Sequence, residues 1–160
     1  MDDVTWLDND EHTAWVRLMA VLTLLPGALD AQLDRDSDLN HFEYFTLAML
    51  SEAPDRRLRM SALAARTNAT LPRLSRVVSR LEAAGLVERS PCPEDGRATN
   101  ATLTEAGWEK VVQAAPGHVR TARELVIDAL EPEQVGQLAE IARRILVTLD
   151  PEQKMVATTG

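Results

Sequence analysis

Arg73, Arg76 and Arg80 recur at spacings of three and four, with Ser75 and Ser79 between them. At about 100° per residue a helix over 71–84 gathers the arginines into one stripe, opposite an apolar arc of Leu74, Val77, Val78 and Leu81. The planar guanidinium fork donates two hydrogen bonds to the O6 and N7 atoms of a guanine, and a serine hydroxyl suits a base edge or a phosphate. Thr70 stands where a cap is needed. Leu71 and Pro72 occupy the first turn, where free backbone amides suit a phosphate oxygen. Taken alone, such a helix is better explained as a surface helix whose arginines face water.

Its neighbours argue for more. Upstream, the short stretch Arg57–Met60 leads into a compact helix over Ser61–Arg66. Thr67-Asn68-Ala69 then turns the chain, with Asn68 at the left-handed position that asparagine tolerates. Downstream, Gly85 ends the helix and Leu86–Ser90 alternates as a strand. Pro91–Gly96 is dense in turn formers, and Arg97–Leu103 returns as a second strand. The result is a two-stranded wing with Arg97 at its tip, suited to a narrow minor groove, and Asp95 placed to orient that arginine.

Charge distribution supports this reading. The 160 residues carry a net charge of −8, which by itself opposes binding to phosphates. Residues 56 to 97, however, hold nine arginines against four acids, a net +5, leaving −13 for the rest. A basic segment within an acidic chain is the electrostatic footprint of a DNA-binding module. The remaining composition is that of one globular domain, 45% hydrophobic and 26% charged. No apolar run reaches the 18 to 20 residues of a membrane span, and the start, Met1-Asp2-Asp3, lacks the basic opening of a secretory signal. The expectation is a soluble, cytoplasmic chain with no membrane partner. One cysteine, Cys92, excludes an intrachain disulfide. His12, His41 and His118 show no metal-ligand spacing, so neither a metal nor a cofactor is expected.

The flanks read as helices. Trp15, Leu18, Leu22, Leu25 and Leu29 form one stripe over 11–33, with Pro26-Gly27 predicting a kink or interruption. Asp34–Asp38 reads as a charged loop. Asn40 and Glu43 form a capping box for a second helix reaching about Glu52, apolar on most sides through Phe42, Phe45, Leu47, Met49 and Leu50. Thr104 caps a segment reaching Leu130, with a break predicted at Pro116-Gly117. Pro132 opens a last helix with Val135, Leu138, Ile141, Ile145 and Leu149 on one face. The first and last helices carry stripes too large for a small lobe to cover, which points to pairing across a two-fold axis. The fold class is therefore mainly α with a small two- or three-stranded β wing. Within a single domain over 1–160, a winged helix-turn-helix spans 58–103 and dimerisation helices span 10–35 and 104–150.

Leu63-Ala64, the helix from Thr70 to Leu81, Leu81-Glu82-Ala83-Ala84-Gly85-Leu86-Val87, Glu94-Asp95-Gly96-Arg97-Ala98 and Leu103-Thr104-Glu105-Ala106-Gly107 together resemble the multiple antibiotic resistance regulator (MarR) family. Asn68, where many members have glycine, and Cys92-Pro93 at the wing depart from its pattern. The resemblance implies a bacterial homodimeric transcription regulator, more often a repressor, on a pseudo-palindromic double-stranded operator. Thr70, Leu71, Pro72, Arg73, Ser75, Arg76, Ser79, Arg80, Asp95 and Arg97 are the DNA-binding candidates. It also implies release by a small effector held between the dimerisation and DNA-binding regions. His41, Tyr44 and Ala48 line up there, Trp15 is placed to close a pocket, and Arg17 suits an anionic aromatic ligand. Cys92 reads as an exposed thiol, with redox sensing beside Arg89 or Arg97 the less favoured alternative. An enzyme using Cys92 or His41 lacks any acid, base and nucleophile at a shared spacing. The remaining alternative is a winged helix that binds protein and not DNA.

Overall fold

In the computed structural model, residues 4–155 are described, so the acidic start Met1-Asp2-Asp3 lies outside them. Six helices and three strands follow in the order α1 (Asn9–Ser37), α2 (His41–Ser51), β1 (Arg57–Arg59), α3 (Met60–Arg66), α4 (Leu71–Ala83), β2 (Val87–Cys92), β3 (Asp95–Leu103), α5 (Glu105–Leu125) and α6 (Pro132–Leu149). The sheet is antiparallel in the order β1-β3-β2. Leu58 faces Ala101 in one ladder, and Glu88 faces Thr102 in the other. The stretch before α3 is thus the third strand.

The capping signals in the sequence hold. Asn40 and Glu43 cap α2 reciprocally, and the Thr70 and Thr104 hydroxyls accept from the third backbone amide of α4 and α5. Asn68 adopts φ 48°, as the turn requires, and Gly85 closes the turn after α4 at φ 74°. Leu33, Leu47, Leu50, Leu63, Leu74, Val78 and Val87 form the fully buried centre, with α2 packed among α1, α5 and the winged lobe.

Three predicted breaks are absent. Asp34–Ser37 are helical, because Asp38 takes the left-handed conformation at the helix end. The Leu39 amide then donates to the Leu33 carbonyl, and both leucines are buried. Neither Pro26 in α1 nor Pro116 in α5 interrupts its helix. Both prolines are exposed, as are Leu22 and Val112 four residues earlier, whose carbonyls lose a partner and can turn to water.

The C-terminal half of α1 packs on α5, while its N-terminal half is open. Trp15, Leu18, Leu22 and Leu24 on α1, and Leu138, Ile141, Ile145 and Leu149 on α6, are exposed, and α6 buries no residue. Contrary to expectation from run length, α1 is long and apolar enough to cross a membrane by length and composition. Arg17 and Asp30 break up its apolar sequence, which is why no run stood out.

Candidate nucleic-acid interface

Helix α4 buries Leu74, Val77, Val78 and Leu81 as one arc. Opposite that arc the outward pole consists of Pro72, Arg76 and Ser79, all exposed. Arg73 and Arg80 flank the pole toward α2, and Ser75 flanks it toward the wing. The sheet follows the helix. Gly85 and Leu86 are clasped by α5: the Thr104 hydroxyl donates to the Gly85 carbonyl at 2.7 Å, and the Thr104 amide donates to the Leu86 carbonyl at 3.1 Å.

The arginines of the basic segment are not equivalent. Arg56 pairs with Glu105 at 3.1 Å and its guanidinium covers the Trp108 ring at 4.2 Å. Arg57 donates to the Thr102 hydroxyl, and Arg59 pairs with Glu94 at 3.4 Å. Arg89 donates to Glu82 at 2.7 Å and to the Ser79 hydroxyl at 3.1 Å, and this contact pulls the Glu82 carboxyl below its ordinary value. On the recognition helix, Arg80 pairs with Glu43 at 3.1 Å, and the Arg73 guanidinium lies over the Phe42 ring at 4.3 Å. The Arg76 side chain has no hydrogen bond or ion pair among the described residues. The net +5 therefore overstates the free positive charge, since Glu43 and Glu105 lie outside the segment that was counted.

The wing is tighter than predicted. Strand β2 extends to Cys92, which faces Asp95, so the turn itself is Pro93-Glu94. Because Pro91 faces Thr99 while Cys92 faces Asp95, residues 96–98 bulge from the ladder and carry Arg97 outward. Asp95 does order this arginine, but through the backbone: its carboxylate accepts from the Arg97 amide at 3.1 Å. Cys92 is buried and not exposed, because the extended strand turns it inward. Arg59, Leu71, Pro72, Ser75, Arg89 and Arg97 line a groove between the recognition helix and the wing.

The second group meets at the junction of α1, α2 and α5. The Tyr44 and His118 rings are 4.6 Å apart, and His41 stacks on His118 at 6.0 Å. The Gln32 carbonyl oxygen and His118 Nδ1 are buried without a partner. Burial pushes both imidazoles below their ordinary value and the Tyr44 hydroxyl above its own. His118 was missed because the break predicted at Pro116-Gly117 removed it from a helix face, and Gln32 because a lone glutamine within α1 has no spacing that marks it. Trp15 and Arg17 do not join this group within one protomer. Asp30, whose carboxylate accepts from the His41 amide, lies fifteen residues beyond Trp15 on α1, about 22 Å at 1.5 Å per residue.

A helix-turn-helix whose second helix presents an arginine to solvent, backed by a three-stranded sheet with a projecting hairpin, defines a winged helix-turn-helix protein. The model of the MarR family matches residues 37–98. The structure of Sco3205, a MarR family transcriptional regulator from Streptomyces coelicolor solved in complex with DNA, is 41% identical with a TM-score of 0.89, over 99% of this chain and 98% of that one. AbsC, a MarR family transcriptional regulator from the same organism, is 37% identical with a TM-score of 0.85, over 91% of this chain and 98% of that one. The uncharacterized HTH-type transcriptional regulator YdcH of Bacillus subtilis is 35% identical over 81 residues, 49% of this chain, and the match spans 55% of that relative's length. The chain belongs to the MarR family of transcriptional regulators. Its apolar α1 is accordingly not the sign of a membrane protein.

Proposed function

We propose that the protein is a sequence-specific, double-stranded DNA-binding transcription regulator, a repressor acting as a homodimer on a pseudo-palindromic operator. The observation that carries this reading is the outward pole of α4, where Arg76 stands free between Pro72 and Ser79, with Arg97 projecting from the wing beyond it. In this assignment Arg76 reads a base edge in the major groove. Thr70, Leu71 and Pro72 bring the first amides of α4 to a phosphate, and Arg73, Ser75, Ser79 and Arg80 contact the strand on either side. Arg97, held by Asp95, enters a flanking minor groove.

The exposed faces of α1 and α6 support the homodimer, because two helices with open apolar stripes bury them by pairing with a second copy. The working division is a DNA-binding lobe over 58–103 between dimerisation helices over 10–35 and 104–150. The unpartnered polar atoms beside His41, Tyr44 and His118 support a small-molecule effector there that releases DNA, with Trp15 and Arg17 reaching that site only from a partner's α1. The protein works in the cytoplasm as a regulator and not as an enzyme.

Selection of binding sites from a random duplex pool tests the reading. A symmetric consensus with roughly 10 bp between half-site centres is expected. Recovery of no consensus favours a winged helix that docks on protein.

A further inference from the structure

The first turn of α2 touches the recognition helix at two points, and both contacts are to arginines. Phe42 offers its ring to the Arg73 guanidinium at 4.3 Å, and Glu43 Oε1 takes Arg80 at 3.1 Å. Phe42 and Glu43 are consecutive residues at the start of α2, while Arg73 and Arg80 lie two turns apart on α4, on the same side of its exposed pole. Glu43 is itself immobilised, because its other carboxylate oxygen accepts from the Asn40 amide at 2.9 Å in the capping box. Its side chain is only 14% exposed. Arg80 therefore meets a fixed carboxylate and not a floppy surface one. Asp30, Asn40 and Phe42 line one wall of a groove whose other wall is Arg73, Arg76 and Arg80.

We propose that Phe42 and Glu43 are positioning residues for DNA reading: they hold Arg73 and Arg80 in the orientation in which these engage the operator backbone, and leave Arg76 alone to report base identity. This inference rests on the DNA-binding reading above. Physically, a long arginine loses rotamer freedom when it binds, and a side chain already stacked or ion-paired in the free protein loses less. The two held arginines stand at the edge of the exposed face, where phosphates lie. The unheld one stands at its centre, where bases lie. Held cations contribute to the register of the complex, which a non-specific duplex does not require.

Two double-mutant cycles test the proposal, each reading the ratio of affinity for the selected operator to affinity for unrelated duplex. Phe42→Leu keeps an apolar side chain at the edge of the core and removes the ring. Glu43→Gln keeps the reciprocal cap, which glutamine also makes, and removes the charge. Each is expected to lower the ratio about three- to tenfold in the wild-type background, and to leave it unchanged when Arg73→Ala or Arg80→Ala, respectively, is already present. Phe42→Tyr, which keeps the ring, is expected to restore the ratio. Losses that add across each cycle, or operator and unrelated duplex affected alike, overturn the proposal, since damage to α2 alone acts whether or not the arginine is there. A wild-type chain that binds no duplex selectively sinks both readings; selective wild-type binding with additive cycles sinks this one alone.

Discussion

Arg76 and Arg97 differ in what surrounds them, and the difference predicts two phenotypes. Arg76 stands free at the centre of the exposed face of α4, so Arg76→Ala is expected to cost about 1–3 kcal/mol on the preferred site and to relax base preference. Arg97 sits on a backbone bulge and is ordered only through its amide, so Arg97→Ala is expected to weaken all duplexes more evenly and to shallow the salt dependence by about one unit of slope. Fluorescence anisotropy with operator and scrambled duplexes at several salt concentrations separates the two, and mutants that bind like the wild type refute the assignment. The arginine stripe was legible because helical periodicity places Arg73, Arg76 and Arg80 together whatever they touch. What each one touches was not. Phe42 and Glu43 lie some thirty residues upstream, and only packing brings α2 against α4.

Among the elements, the closest approach is that of the first turn of α5 to the turn between α4 and β2. A Cβ on Gly107 would stand 2.1 Å from the Leu86 carbonyl oxygen, a backbone atom that has no room to yield. Gly107→Ala is expected to destabilise the fold by about 1–3 kcal/mol or more, seen as a lower midpoint in chemical denaturation; an unchanged midpoint would show that the joint is loose. The α1–α2–α5 junction carries a pH dependence. Burial holds His41 and His118 below the ordinary histidine value near 6.5, so below that pH the unfolded chain takes up protons that the folded chain refuses. Stability is then full above about pH 6.5 and is lost as pH falls from there through the lower folded values. The carboxylates held low, Asp36, Glu82 and Glu140, lose their contribution only in more acid solution. Urea melts at pH 7.5 and 5.5 check this, and the double variant His41→Gln, His118→Gln is expected to flatten the difference. Caps were readable because Asn40, Thr70 and Thr104 act on amides within three residues. Prolines misled because the cost of a lost helical hydrogen bond depends on whether the freed carbonyl faces water, which neither Pro26 nor Pro116 reveals.

At the scale of the whole molecule, one protomer leaves apolar faces on α1 and α6 that no other described element covers. Leu22→Asp with Ile141→Asp is expected to leave each winged lobe folded while preventing pairing. Sedimentation should then report a monomer, and affinity for the full operator should fall about 100-fold or more, because two linked half-sites no longer act together. A dimer that survives both substitutions places the interface elsewhere. The same geometry decides where Trp15 and Arg17 work. At about 22 Å (Trp15) and about 20 Å (Arg17) from Asp30 along a single helix, they lie out of reach of their own protomer's histidine cluster.

Composition and spacing alone determined the winged helix-turn-helix, its capping residues, the arginine stripe and the apolar stripes of the terminal helices. Each of these depends on neighbours within one or two helical turns or one hairpin. Tertiary structure decided which arginines are already engaged, that Cys92 turns inward, that His118 and Gln32 join His41 and Tyr44, and that Asp95 steadies Arg97 through its backbone. Those facts depend on contacts between distant segments, and there a half-turn of helix or one bulged strand residue changes which side chain faces which. The arginine stripe with which the sequence drew attention to itself is thus three residues of one type in two physical states, with Arg73 and Arg80 held and Arg76 free.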